Sequence, residues 1–414
     1  MLAIVVDSES RDKLVLVAVW DVDGNERQVL LPARSVASGT AGISFLVDAG
    51  LVIMPDFGKL VAGFIHLSRP QGRLERTELT GWLKDSPVFV YPGEIIGQQT
   101  GVEILHEPKS KALTQAFYSR GTLEEWRQHV AVLAKGNPLM AFVLCASLSG
   151  PLLKVVGFTG GGSHLYGRSS RGKTTMAQFA ASVHGDATDP GVPTSRSLVR
   201  TWHTTANALD ALAEAHSDTL LVLDEAGSFA GKDLDQTIYQ LCGGQEKSTM
   251  LSSRKLRRSG NWRSNLLSTG EISIQQRIEA SGRLAMAGQL VRLIDIPIGE
   301  IFTDTKGMEP GQFATELKNV CRKYFGTAGK AFVRSLQKVL AEDPEALADS
   351  LRDYVEEYAQ DLAVDDVAPE QMRILRRFAL YQVAGELAVQ WGILPLTDAD
   401  VVQAVQHARD LLYW

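Results

Sequence analysis

The sequence predicts an α/β protein: a P-loop core with a parallel sheet flanked by helices, a β-rich region before it and an all-helical region after it. Three observations carry this reading. Between residues 116 and 304, strand-like and helix-like runs alternate, the mark of parallel strands joined by crossover helices. Inside that stretch, Gly167-Arg-Ser-Ser-Arg-Gly172-Lys173-Thr174 matches GxxxxGK[ST] in full. About fifty residues on, Thr219-Leu-Leu-Val-Leu-Asp224-Glu225 is a continuous apolar run closed by two acids.

Residues 1–115 read as mainly β. Lys13–Trp20 is a strand, Asp23-Gly24 a turn and Arg27–Leu31 the returning strand. Shorter runs near Leu51–Met54 and Val88–Tyr91 are read as further strands, and His106–Lys111 as a polar linker. Thr122, with Glu125 three residues later, forms a capping box that opens a helix. The apolar stretch Leu139–Phe158 is broken by Ser147, Ser149, Gly150, Pro151 and Lys154, so it reads as a buried helix followed by a strand, not a membrane span. Residues 305–414 read as helical to the end, with an amphipathic run over Met372–Gln390.

Bulk properties narrow the function. A chain of 414 residues has room for two or three domains. With 22% charged residues and a net charge of -6 it is not a polycation, so any nucleic-acid surface has to be a local patch. Three dispersed cysteines, Cys145, Cys242 and Cys321, give no disulfide framework or zinc ligand set, and the eight histidines show no metal-binding spacing. The first residues lack the basic start and apolar length of a signal peptide, and the expectation is a cytoplasmic protein with no membrane partner.

The loop and the acids define the chemistry. Glycines such as Gly167 and Gly172 let the backbone N–H groups of Ser169, Ser170, Arg171 and Gly172 turn inward around phosphate oxygens, and the helix that follows presents its positive end at Thr174 and Thr175. Lys173 can reach the β- and γ-phosphates of ATP. The Thr174 hydroxyl and the Asp224 carboxylate are the candidate Mg²⁺ ligands, and Glu225 is the candidate base for the attacking water. On a further strand-like run, Asn265–Glu271, either Ser268 or Thr269 can sense the γ-phosphate or orient that water. Arg292 opens the last apolar run, where it serves either a neighbouring subunit's site or a surface salt bridge.

Between the acidic run and the Ser268 run lies Lys247–Arg263, with six basic residues in an otherwise acidic chain. Ser259-Gly260-Asn261 reads as a turn and the segment as a β-hairpin. Arg254, Lys255, Arg257, Arg258 and Arg263 are the candidate phosphate-gripping residues for DNA, against the alternative of a solvated basic loop. Trp262 either stacks on a base or anchors the hairpin. Arg196, Arg200 and Trp202, ahead of a helix capped by Thr204 or Thr205, either join that surface or pack internally.

From about Leu14 onward the chain resembles a bacterial mobile-element and prophage helicase family, long catalogued as a domain of unknown function and similar to the minichromosome-maintenance helicases of the AAA+ class. The resemblance rests on Gly121–Trp126, Gly150–Leu153, Gly162–Thr175, Trp202–Asn207, Leu223–Glu225, Leu267–Glu271 and Ala384–Ala388. It implies a ring, a hexamer, with ATP between subunits and single-stranded or forked DNA in the pore. It makes Ser268 or Thr269 the first sensor, Arg292 the arginine finger in trans, the helical tail a lid, and Arg373 the second sensor in competition with Arg376 and Arg377. His184 and Asp210 stand where that family tends to carry a bulky aromatic and a glutamate. Rival readings are a helicase loader or protein remodeller with the same ATP site, and an assembly that uses ATP only to close its ring.

Overall fold

The computed structural model describes residues 2–412 apart from 9, 39–40, 69, 71, 85, 98–102, 170–171, 193–195, 232, 246–260 and 365–366. It falls into two compact units: 1–79 with 83–88 and 97–109, and 80–82 with 89–96 and 110–414. The helical region after residue 304 therefore belongs to the same unit as the core, and residues 80–82 and 89–96 join that unit as well.

In the smaller unit, a five-stranded sheet takes the order Glu26–Pro32, Lys13–Trp20, Ala3–Asp7, Gly72–Thr77, Glu103–His106. The expected hairpin is present, with Leu14 facing Pro32 and Trp20 facing Glu26. Its turn is held by Asp21 Oδ1, which accepts from the backbone N–H groups of Asp23 and Asn25. The expected β-rich sheet is present, and only one strand reading in this region needs correction. Helices Ala33–Ala37, Ile43–Asp48 and Gly58–Leu67 interrupt it, and Leu51–Met54 is irregular chain rather than a strand. Val52 and Met54 are exposed, so no second layer draws that run into a sheet.

The larger unit is built on five parallel strands, β1 Gly161–Tyr166, β2 Val199–Thr201, β3 Leu220–Asp224, β4 Asn265–Gly270 and β5 Leu293–Pro297. Their spatial order is β2-β3-β4-β1-β5, and every pairing is parallel. All residues of β3 and β4 are buried, as expected of inner strands with both faces covered; β3 is apolar up to Asp224, whereas β4 buries Asn265, Ser268 and Thr269 as well as its two leucines. Gly162 permits the β1–β4 contact, since a Cβ there would sit 1.9 Å from the Leu266 carbonyl oxygen.

Helix Pro138–Leu148 is apolar on every side and buried from Leu139 to Leu148, as such helices must be. The strand expected after it is instead a second helix, Leu152–Val156. Pro151 fixes φ for a helical start and Gly157 ends it in the left-handed region, and these local signals outweigh the β-branched pair Val155-Val156. The Thr122–Glu125 capping box forms as expected, with Glu125 N–H donating to Thr122 Oγ1 at 3.1 Å and Thr122 N–H donating to Glu125 Oε2 at 2.8 Å. Five further helices cover Pro310–Lys323, Ala328–Glu342, Pro344–Leu362, Pro369–Gln390 and Asp398–Asp410.

Helix Pro369–Gln390 runs along the starting edge of the sheet. Tyr381 Oη donates to Asn265 Oδ1 at the start of β4, and Arg377 Nη2 donates to the Thr159 and Gly160 carbonyls just before β1. Among the described residues no helix is long and apolar enough to cross a membrane.

Candidate nucleotide site at the strand tips

The site lies at the opposite edge, where β1, β3 and β4 end. β1 runs into the loop 167–172, and the helix Lys173–Ala181 leaves it. Gly172 takes φ +86°, a left-handed turn that glycine enters without a Cβ penalty, and a Cβ there would press to 3.2 Å from the Phe302 ring. The first turn of the helix holds no acidic residue, so its unpaired N–H groups and positive dipole end are left for an anion. Lys173 is buried, with Nζ donating to the carbonyls of Gly167 at 2.7 Å and Arg168 at 2.8 Å.

Thr174 Oγ1 donates to Asp224 Oδ2 at 2.9 Å, which ties the loop helix to the tip of β3. The other oxygen of Asp224 accepts from Thr269 Oγ1 at the tip of β4. The Thr269 oxygen in turn accepts from the Glu225 N–H at 3.2 Å. One hydroxyl therefore fixes both acids. Glu225 itself sits in the left-handed region at φ 63°, a conformation that costs a non-glycine residue about 1 kcal/mol or more. This turn takes it off the line of β3 and leaves it exposed beside the loop.

Ser268, the other sensor candidate, is used elsewhere. His164 Nε2 lies 3.1 Å from the Ile272 carbonyl, so that nitrogen carries the proton, and Nδ1 accepts from Ser268 Oγ at 2.8 Å. Burial pushes the His164 pKa down to about 4, which keeps the ring neutral near pH 7. Ser268 Oγ accepts from Trp202 Nε1 at 2.9 Å. This buried chain joins the residue after β2 to β4 and β1, so Trp202 is packing, and it stiffens the tip that presents Thr269. Thr205, not Thr204, caps the following helix, with its side chain accepting from Ala208 N–H.

A cavity of about 320 Å³ opens among these groups, lined by Ser169, Gly172, Lys173, Thr174, Thr175 and Glu225 from the expected set. Four residues that sequence reasoning had not placed there also line it: Glu271, Ala314, Thr315 and Lys318. Glu271 ends a segment used for the family resemblance. Ala314, Thr315 and Lys318 come from an amphipathic helix with no motif to announce them. The donor set suits Mg-ATP: a hydroxyl and a carboxylate side by side are hard oxygen ligands, and a lysine and a free helix N-terminus stand beside them. Ser170 and Arg171 lie outside the described residues.

Arg292 and the three arginines of helix Pro369–Gln390 are not at this cavity. Arg292 precedes β5 at the starting edge, roughly 17 Å of strand from the loop. Its guanidinium lies 4.3 Å from the Tyr239 ring centroid and donates to the Gly288 carbonyl. Arg376 is paired with Glu356 at 2.8 Å. Arg377 is bound to Thr159 and Gly160. Arg373 is exposed, one turn before Arg377 on a helix laid along that same far edge. A second-sensor role for any of the three in their own chain's site is thereby corrected, because the helix crosses the sheet at the wrong end of the strands.

The basic candidates Arg254, Lys255, Arg257 and Arg258 lie outside the described residues. On the described residues to either side, Gln245 is bridged antiparallel to Asn261 and Trp262 N–H donates to the Gly244 carbonyl at 3.0 Å. Trp262 is buried, with Nε1 donating to the Leu241 carbonyl at 2.7 Å, so it anchors rather than stacks. Arg263 grips buried Asp218 with two donors, Nε at 2.9 Å and Nη2 at 3.2 Å. That role competes with the DNA contact expected of it.

A family model described as "Domain of unknown function (DUF927)" matches residues 1–259, well over half of the chain. The chain belongs to the DUF927 family. The match takes in the loop and the acidic pair of this DUF927 chain but ends before β4. No curated protein matches it. Among solved structures, one described as SCCmec type IV Cch, an active helicase, superposes with a TM-score of 0.70 at 18% identity, covering 96% of this chain and 71% of that one. This likeness establishes a shared fold. The A-form apo structure of the NrS-1 C-terminal region matches with a TM-score of 0.34 at 11% identity, over 94% of this chain and 86% of that one, too slight a likeness to bear on the fold.

Proposed function

We propose that this chain is an AAA+ ATPase that hydrolyses Mg-ATP to move on and unwind single-stranded or forked DNA, assembled as a ring, a hexamer, and serving replication of a mobile element or prophage. The observation that carries the reading is the Thr174–Asp224 contact at the mouth of the loop, with Glu225 exposed on the same edge. The strand order supports the AAA+ assignment, because β4 between β1 and β3 brings a polar tip between loop and acids. The fold shared with a described active helicase supports the motor.

Bound Mg²⁺ supplies charge neutralisation across the phosphate oxygens. The chain does the rest. The loop backbone and Lys173 hold the polyphosphate, Thr174 and Asp224 hold the metal, and Glu225 takes the proton of the attacking water. Thr269 keeps the two acids in register. Arg292 sits too far from its own site to act there, so its role falls to a neighbour's site, and exposed Arg373 on the same edge is assigned the same direction.

Thr269→Val removes the shared hydroxyl without changing the shape of the side chain. Loss of such a supporting partner costs about tenfold to a hundredfold, and that is the expected fall in steady-state ATP turnover, with Thr269→Ser keeping most of the rate. Equal rates in the valine variant and wild type would remove Thr269 from the site.

For the DNA half of the proposal, single-stranded DNA should stimulate turnover. Replacing Arg254, Lys255, Arg257 and Arg258 together by Ala should abolish the stimulation while basal turnover persists. DNA binding by that variant should also lose roughly three to four units of log–log salt slope, about one per phosphate contact removed. Turnover indifferent both to DNA and to these substitutions would leave a loader or remodeller in place of a motor on DNA.

A further inference from the structure

We propose that Lys318 is a second cation of the nucleotide site, a side chain sent from the helical region to the terminal phosphate of a bound nucleoside triphosphate. The inference rests on the nucleotide-site reading above. Helix Pro310–Lys323 packs against the loop helix Lys173–Ala181. Ala314, Thr315 and Lys318 fall on one helical face and line the cavity with Lys173, Thr174, Glu225 and Glu271. The Thr315 hydroxyl is turned back on its own helix, donating to the Gly311 carbonyl at 2.9 Å, so the charge this face offers the cavity is the Lys318 ammonium.

Two features of its surroundings indicate what that ammonium is for. The carboxylates that share the cavity, Glu225 and Glu271, follow the tips of β3 and β4, beyond the loop that cradles the inner phosphates. Lys318 shares the cavity with these two carboxylates, and its ammonium is the cation there for a phosphate that reaches beyond the loop. Its present partner is Asp189, at 3.9 Å, with the two side chains 37% and 44% exposed. Such a long, solvated pair contributes little and is readily exchanged for a polyanion. The arginines of helix Pro369–Gln390 stand at the far edge of the sheet. Among the described residues, Lys318 is therefore the charged group through which the helical region can register whether the last phosphate is present.

The test is equilibrium binding of a fluorescent non-hydrolysable ATP analogue and of the corresponding ADP to the full chain with Mg²⁺. Lys318→Ala should weaken the triphosphate by about tenfold to a hundredfold, the range for losing one charge-assisted contact, and leave the diphosphate within about twofold. Lys318→Arg should keep most of the discrimination, and Asp189→Asn should not weaken it. Unchanged triphosphate binding in Lys318→Ala, or equal losses for both nucleotides, would overturn the proposal. Lys173→Ala measured alongside separates the two levels. If it abolishes binding while Lys318→Ala has no effect, only the Lys318 assignment fails. If neither variant affects binding, the nucleotide-site reading fails with it.

Discussion

Glu225→Gln is expected to bind Mg-ATP as wild type does and to turn it over at least about a hundredfold more slowly, a barrier increase of about 2.7 kcal/mol. The substitution keeps the size of the side chain and removes the negative charge and with it the capacity to accept a proton. The backbone argues for the same residue. A left-handed φ at a glutamate has a conformational cost, and the fold meets it by anchoring the Glu225 N–H on Thr269. Glu271 is the control, since it lines the same cavity. A larger loss in Glu271→Gln than in Glu225→Gln, measured by phosphate release at saturating ATP, would transfer the base role to Glu271.

Arg292→Ala is expected to lower turnover by about a thousandfold, the lower end of what an arginine finger supplies, while ATP affinity of the isolated chain stays near wild type. Affinity is spared because roughly 17 Å of strand separates Arg292 from the loop of its own chain. Its guanidinium is half-buried and stacks on the exposed ring of Tyr239. Mixing Arg292→Ala with Glu225→Gln protein should recover part of the activity, because some interfaces then pair an intact Glu225 with an intact Arg292. If Arg292→Ala turns over at the wild-type rate, the residue is a surface contact of Tyr239 and nothing more.

What the sequence disclosed follows from how local each signal is. The loop, the acidic pair and the Thr122 capping box are short-range patterns legible within a few residues; the capping box forms, Asp224 ends β3, and a helix opens at Lys173. The strand β3 is legible because burial on both faces demands an unbroken apolar run, which Leu220–Leu223 supplies. The choice between Ser268 and Thr269 was not legible, since adjacent residues on a strand point to opposite faces and only the third dimension shows which meets Asp224 and which meets His164 and Trp202. The second helix after Pro138–Leu148 was missed because Val155-Val156 reads as strand until the flanking Pro151 and Gly157 are weighed. Lys318 carried no signal at all. It is an ordinary polar position on an amphipathic helix, and its place at the cavity comes from the packing of that helix on another about 140 residues earlier.

The most direct measurement is a structure of the Glu225→Gln protein with Mg-ATP. The phosphates should lie on the backbone of residues 167–172, with Lys173 Nζ moved from the Gly167 and Arg168 carbonyls to a phosphate oxygen, and with Thr174 and Asp224 beside the metal. A triphosphate bound elsewhere on the chain, or Lys173 still resting on those two carbonyls at saturating nucleotide, would contradict the nucleotide-site reading.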